Sequence, residues 1–121
     1  MSEKEKKLIS KPLNYSGLVK YQEGAVVSRA VINKTAGSVT VFAFDKGEKL
    51  STHQAPYDAL LQVIEGKCLV TINDEEHELS APGVIIMPAN QPHSVYAGER
   101  FKMVLVMIKE KQQPSVSRSM D

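Results

Sequence analysis

The sequence predicts an all-β domain built as a sandwich or barrel of packed sheets. Three observations carry this reading. Short apolar segments alternate with a period of two, turn residues separate them roughly every 8–12 positions, and no segment holds a convincing helical period. At 121 residues the chain suffices for one domain with its own core and is too short for two comfortable ones.

The elements follow in order. Residues 1–10, MSEKEKKLIS, read as a charged tail. The barrel is expected over residues 11–111, and residues 112–121 read as a second loose end that is polar and without period. In GAVVSRAVIN (24–33), Val27, Arg29 and Val31 oppose Val26, Ser28, Ala30 and Ile32. In SVTVFAF (38–44), Val39, Val41 and Ala43 oppose Thr40, Phe42 and Phe44. In KCLVTI (67–72), Cys68, Val70 and Ile72 share one face, so Cys68 is expected to be a small core residue. FKMVLVMIK (101–109) is apolar on both faces and is expected to be covered on both sides, by a second sheet and by another subunit. Turns are expected at residues 34–37, 45–47, 65–66, 73–74 and 82–83.

Composition excludes several function classes. The net charge is +1, the two signs are interspersed, and there is no clustered arginine to meet nucleic acid. The longest apolar runs, VLVMI and VIIM, fall far short of the about 20 residues that span a bilayer. The charged N-terminus lacks the apolar region of a secretory signal, and a single cysteine forms no intramolecular disulfide. A cytoplasmic protein is expected, with neither nucleic acid nor membrane as partner.

Candidate chemistry rests on two of the three histidines. His77, in the charged NDEEHELS, reads as a solvated hairpin residue. His53 and His93 each stand beside a proline-containing turn at the edge of an apolar strand, in GEKLSTHQAP and IIMPANQPHSVYAG. Gly47, five residues, His53 and then Gly66 make one frame; Pro88, Ala89, Asn90 and His93, preceded by Pro82-Gly83, make a second.

These two frames, with QVIEGKCLVTI between them, resemble the motifs of the cupin superfamily, in its small conserved-barrel form. They cover residues 47 to about 97. The resemblance implies a double-stranded β-helix, or jelly-roll, barrel and commonly a homodimer. In metal-binding members, a His-x-His pair, a glutamate and a final histidine hold the ion. Carried over, these positions fall on His53, Ala55, Ala59 and His93. Asn90 stands where glycine is usual, a position that tolerates positive φ.

Two methyl groups thus replace two of the four usual ligands. The resemblance implies a divalent metal (iron, zinc, manganese or nickel) on His53 and His93, whereas the residues themselves establish no cofactor. Pro56 interrupts the strand after His53, so a bulge is a route by which Asp58 or Tyr57 would turn inward; Gln62 is a weaker candidate. The first functional reading is a barrel that binds a small molecule. Its pocket would be lined by Phe42 or Phe44, Met87, Met103 and Met107, and His53, Tyr57, Asp58 and His93 would orient the ligand. The alternative is a metal-dependent enzyme (a dioxygenase, isomerase or decarboxylase), or one that uses a histidine as general base. No nucleophile or oxyanion feature completes such machinery.

Overall fold

Nine strands carry almost all of the regular structure over residues 7–110, the part of the chain that the computed structural model describes. They are β1 (Val26–Lys34), β2 (Gly37–Phe44), β3 (Lys49–His53), β4 (Asp58–Glu65), β5 (Lys67–Ile72), β6 (Glu75–Ser80), β7 (Val84–Met87), β8 (His93–Tyr96) and β9 (Phe101–Ile108). A single 3₁₀ turn at Tyr15–Leu18, capped by Asn14, precedes them. Most of the expected N-terminal tail (residues 1–6) and all of the expected C-terminal one (within residues 111–121) lie outside the described residues. Leu8, within the expected N-terminal tail, is buried.

Two antiparallel sheets face each other in a jelly-roll barrel. One has the order β1-β2-β9-β4-β7 and the other β3-β8-β5-β6. The alternation in β2 works as its sequence predicts. Phe42 and Phe44 face the barrel interior, while Val41 and Ala43 belong to a separate cluster on the outer face. Cys68 and Val70 lie in the interior with Leu61, Val63, Phe101 and Met103, and burial pushes the Cys68 thiol up to about 12. Phe44 stacks on Phe101 with ring centroids 4.5 Å apart.

One expectation is corrected. The alternation placed Ile32 on the Ser28 and Ala30 face, but the β1–β2 register shifts between Ala30 and Ile32. That bulge inserts Val31 as an extra residue and reverses the parity, so Ile32 pairs with Val39 on the outer face. Strand β9 is covered on both sides near Phe101, where its outer cover is the chain's own N-terminal segment. Leu18, Val19 and Tyr21 pack on Val41, Ala43 and Val104.

A polar network fastens that cover. The Lys102 ammonium donates to the Ser16 carbonyl at 2.8 Å and lies 3.5 Å from a Glu65 carboxylate oxygen. The Ser16 hydroxyl donates to the same Glu65 oxygen at 2.6 Å and, as the largest cause, holds the Glu65 carboxyl below its usual range. Lys102 also sits over the Tyr21 ring, 4.9 Å from its centroid, as does Arg100 at 5.3 Å. Burial, helped by Glu65, pushes the Tyr21 hydroxyl up to about 12.

Candidate functional site

The barrel closes at one end on Phe44 and Phe101 and holds a cavity at the other, so neither Phe42 nor Phe44 lines it. The expected placement of those rings in the pocket is therefore corrected. Phe44 pairs with Phe101 at the closed end, and Phe42 pairs with Met103, which lines the cavity where Phe42 does not. The cavity measures about 40 Å³ and is walled by Leu50, Val95, Leu105 and three methionines, Met87, Met103 and Met107. Ala55 and Ala59 expose their methyls to it, and His53, Tyr57 and His93 supply its polar groups.

Each polar group is delivered by local structure. Strand β3 ends at His53, and the Pro56 break runs to Asp58, where β4 begins. His53 pairs with His93 across β3 and β8, and their ring centroids lie 4.4 Å apart in an edge-to-face arrangement. His93 is carried by the Pro88–Pro92 turn, in which Asn90 takes φ 65°. The Asn90 amide donates to the Ala55 carbonyl at 2.7 Å, which ties that turn to the segment after His53.

The hydrogen bonds of the two rings assign their tautomers. His53 Nδ1 lies 2.8 Å from the Ser51 carbonyl, and His93 Nδ1 lies 3.2 Å from the Gln91 carbonyl. A carbonyl oxygen only accepts, so each Nδ1 carries a proton, and in the neutral ring each Nε2 is left with a lone pair. His93 is only 6% exposed, yet no buried side-chain nitrogen or oxygen among the described residues lacks a partner. Its Nε2 therefore reaches the open cavity. Burial, then the neighbouring His53, lowers the His93 pKa below the usual 6.5 and keeps that ring neutral.

Five of the six residues singled out in the sequence (His53, Tyr57, Met87, His93 and Met103) converge on this cavity. Asp58 does not line it. Strand β4 is regular from its first residue, with Asp58 opposite Ile108 and Ala59 opposite Met107, so Asp58 keeps the outward parity of Leu60. One of its carboxylate oxygens accepts from the Ala89 amide at 2.9 Å, which helps fix the turn that presents His93. His77, expected to be a hairpin residue, lies in β6 with its ring 3.2 Å from Glu75.

Comparison with known proteins agrees with this geometry. The family model described as "Cupin domain" matches residues 40–109. The chain belongs to the cupin family. A conserved protein of unknown function from Streptococcus pyogenes is 32% identical, with a TM-score of 0.80 over 85% of this chain and 90% of that one. A cupin superfamily protein from Desulfitobacterium hafniense is 26% identical, with a TM-score of 0.79 over 84% and 93% of the two chains. A cupin 2 conserved barrel domain protein from Leptotrichia buccalis is 36% identical over 78% of this chain and 46% of that one, with a TM-score of 0.75. No curated protein matches the chain.

The donor set of this cupin does not fit the divalent ion that its family implies. Among the described residues, no third histidine, cysteine, aspartate or glutamate joins His53 and His93. A catalytic zinc site takes three protein ligands, and a non-haem iron site two histidines and a carboxylate. In this cupin the places of the missing two are held by methyl groups facing the cavity. The methionine arrangement around Ala59 was not legible in the sequence. Met87 on β7 and Met107 on β9 pair with Ala59 from opposite sides, a juxtaposition that strand order creates and local alternation cannot reveal.

Proposed function

We propose that this cupin binds a small, largely apolar molecule carrying one or two O–H or N–H donors, with His53 and His93 as the groups that receive them. The observation that supports this is the pair of Nε2 lone pairs left by the two Nδ1–carbonyl bonds, on a cavity whose other walls are almost wholly apolar. A few convergent polar groups in an apolar cavity give orientation, while the walls give affinity. Catechol, with two O–H groups, satisfies both acceptors and a neutral phenol or alcohol satisfies one, whereas a carboxylate finds no donor on either neutral imidazole. Tyr57 borders the same space and supplies a third polar contact, and Asp58 acts on the ligand through the turn that it holds.

The test is a titration with phenol and catechol, read by the ring-nitrogen NMR signals of the histidines. Both Nε2 signals are expected to move on saturation with catechol and at least one with phenol, and benzoate is expected to leave them in place. His53→Ala is expected to abolish the response while barely changing the melting temperature, because His53 is exposed and its loss opens no cavity in the core. Binding should weaken on acidification, since protonation removes an acceptor; burial and the neighbouring His53 lower the His93 pKa and delay that loss on His93. Phenol binding with unmoved histidine signals would refute the reading.

We further propose that this cupin is a cytoplasmic homodimer. Among the described residues, no helix is long and apolar enough to cross a membrane, and the one cysteine is a buried free thiol. Ile32, Val39, Val106, Leu60 and Ile86 pair in a single row across all five strands of the larger sheet. Ile86 is 62% exposed, Ile32 45% and Leu60 36%. An uncharged apolar row on a sheet face suits a second copy of itself under two-fold symmetry. Sedimentation velocity should give a dimer for the wild type and a monomer for Leu60→Lys/Ile86→Lys. A monomeric wild type, or a dimeric variant, would exclude this face.

A further inference from the structure

The two methionines beside Ala59 carry the chemistry of the cavity further. In this fold, the Ala59 position is the one the family gives to a carboxylate, and here Met87 and Met107 flank it in register from the two neighbouring strands. Both line the same cavity as His53 and His93, and Met103 lines it too. The oxygen donor suited to a hard divalent ion is thus absent, and soft thioethers border its place. Each histidine meanwhile has the arrangement of a metal ligand. Its Nδ1 proton is held by a backbone carbonyl, which fixes the tautomer and leaves Nε2 free to coordinate.

We propose that this cavity is a binding site for a soft monovalent cation, Cu(I), held by His53 and His93 through Nε2 and by the sulfurs of Met87 and Met107. Thioether and imidazole donors favour Cu(I), and carboxylate donors favour harder ions. Cu(I) carries a single charge and accepts low coordination numbers, so an apolar, nearly closed cavity costs it less than a hydrated divalent ion. Met87 is buried and Met107 half-buried, so their sulfurs are screened from bulk water. Cys68, the one thiol, faces another part of the core, and its raised pKa keeps it from competing as a thiolate. The proposal rests on the reading that both Nε2 atoms serve the cavity, but it does not require that a phenol binds there.

The experiment is anaerobic loading of the metal-free full chain with Cu(I), in competition with the chromogenic chelator bicinchoninate. Zn(II) and Ag(I) are run in parallel. One Cu(I) per chain is expected, Ag(I) should follow it, and Zn(II) should bind more weakly by at least about tenfold. Met87→Leu/Met107→Leu, which nearly conserves volume, should lose at least about tenfold in Cu(I) affinity while keeping the histidine NMR signals of the folded wild type. X-ray absorption on the loaded wild type should show sulfur as well as nitrogen around copper, so the assignment survives a variant that fails to fold. The proposal is overturned by absent Cu(I) uptake, by equal affinity in the leucine variant, by Zn(II) matching Cu(I), or by a copper environment without sulfur. Failure of the phenol titration with copper still bound separates the two readings. Unmoved histidine signals with both probes would defeat them together.

Discussion

Ala55→His/Ala59→Glu is expected to turn a cavity with two nitrogen donors into a site that holds zinc or nickel firmly. Both alanine methyls already face the cavity that His53 and His93 border, so the added imidazole and carboxylate arrive on the correct side of their strands. The metal-free variant should melt below the wild type. The new side chains overfill a cavity of about 40 Å³ and displace Met87 and Met107, at a cost of about 1–3 kcal/mol. Zinc should restore the melting temperature and raise it beyond, because a ligand at 100 times its dissociation constant contributes about 2.7 kcal/mol. The wild type should show no comparable shift. Calorimetric melts with and without zinc measure both effects. A variant that folds and gains no zinc affinity would mean that Ala55 and Ala59 do not converge with the histidines as described.

Gly66→Ala is expected to be the most damaging single substitution by an otherwise benign residue. Gly66 joins β4 to β5 with φ 77°, and a Cβ built there would stand 2.6 Å from the Arg100 carbonyl oxygen and 3.1 Å from Phe101 Cβ. The backbone term alone costs about 1–2 kcal/mol. The contact with a neighbouring backbone, which cannot swing aside, adds roughly 1–3 kcal/mol. Gly47 provides the comparison. It has φ 88°, but a Cβ there would meet nothing within 4 Å, so Gly47→Ala should incur the backbone term only. Chemical denaturation of both variants separates conformation from crowding, and equal losses would show that the approach of Arg100 to Gly66 is not tight.

The fold was largely legible because its code is local. The period-two patterns in β2, β5 and β9 sort side chains between the barrel interior and the outer face, as Val41 against Phe42 illustrates. Locality also sets the limit. A one-residue bulge at Val31 leaves the composition of β1 unchanged and yet moves Ile32 to the other face. The Leu18–Tyr21 cover has no periodicity, since it lies on the sheet as a strap, and its anchor joins Lys102 to Ser16 across 86 positions of sequence. At the site, His53 and His93 were recognisable through the spacing of their frames. Met87, Met103 and Met107 were expected in the pocket, but the placing of Met87 and Met107 on either side of Ala59 was not, because β4, β7 and β9 become neighbours only when the sheet assembles. The outward parity of Asp58 likewise depends on β4 starting its regular pairing at Asp58 itself, just past the Pro56-Tyr57 bend.

The position of β9 in the larger sheet has a consequence for synthesis. It is the last strand of the described chain, yet it lies at the centre of its sheet, between β2 and β4. Until Phe101–Ile108 has left the ribosome, the β1–β2 hairpin and the β4–β7 pair have no strand to join them, and the Lys102 anchor of the N-terminal strap does not exist. The nascent chain therefore carries unpaired β2 and β4 edges until Phe101–Ile108 has been made, and only then does the larger sheet assemble.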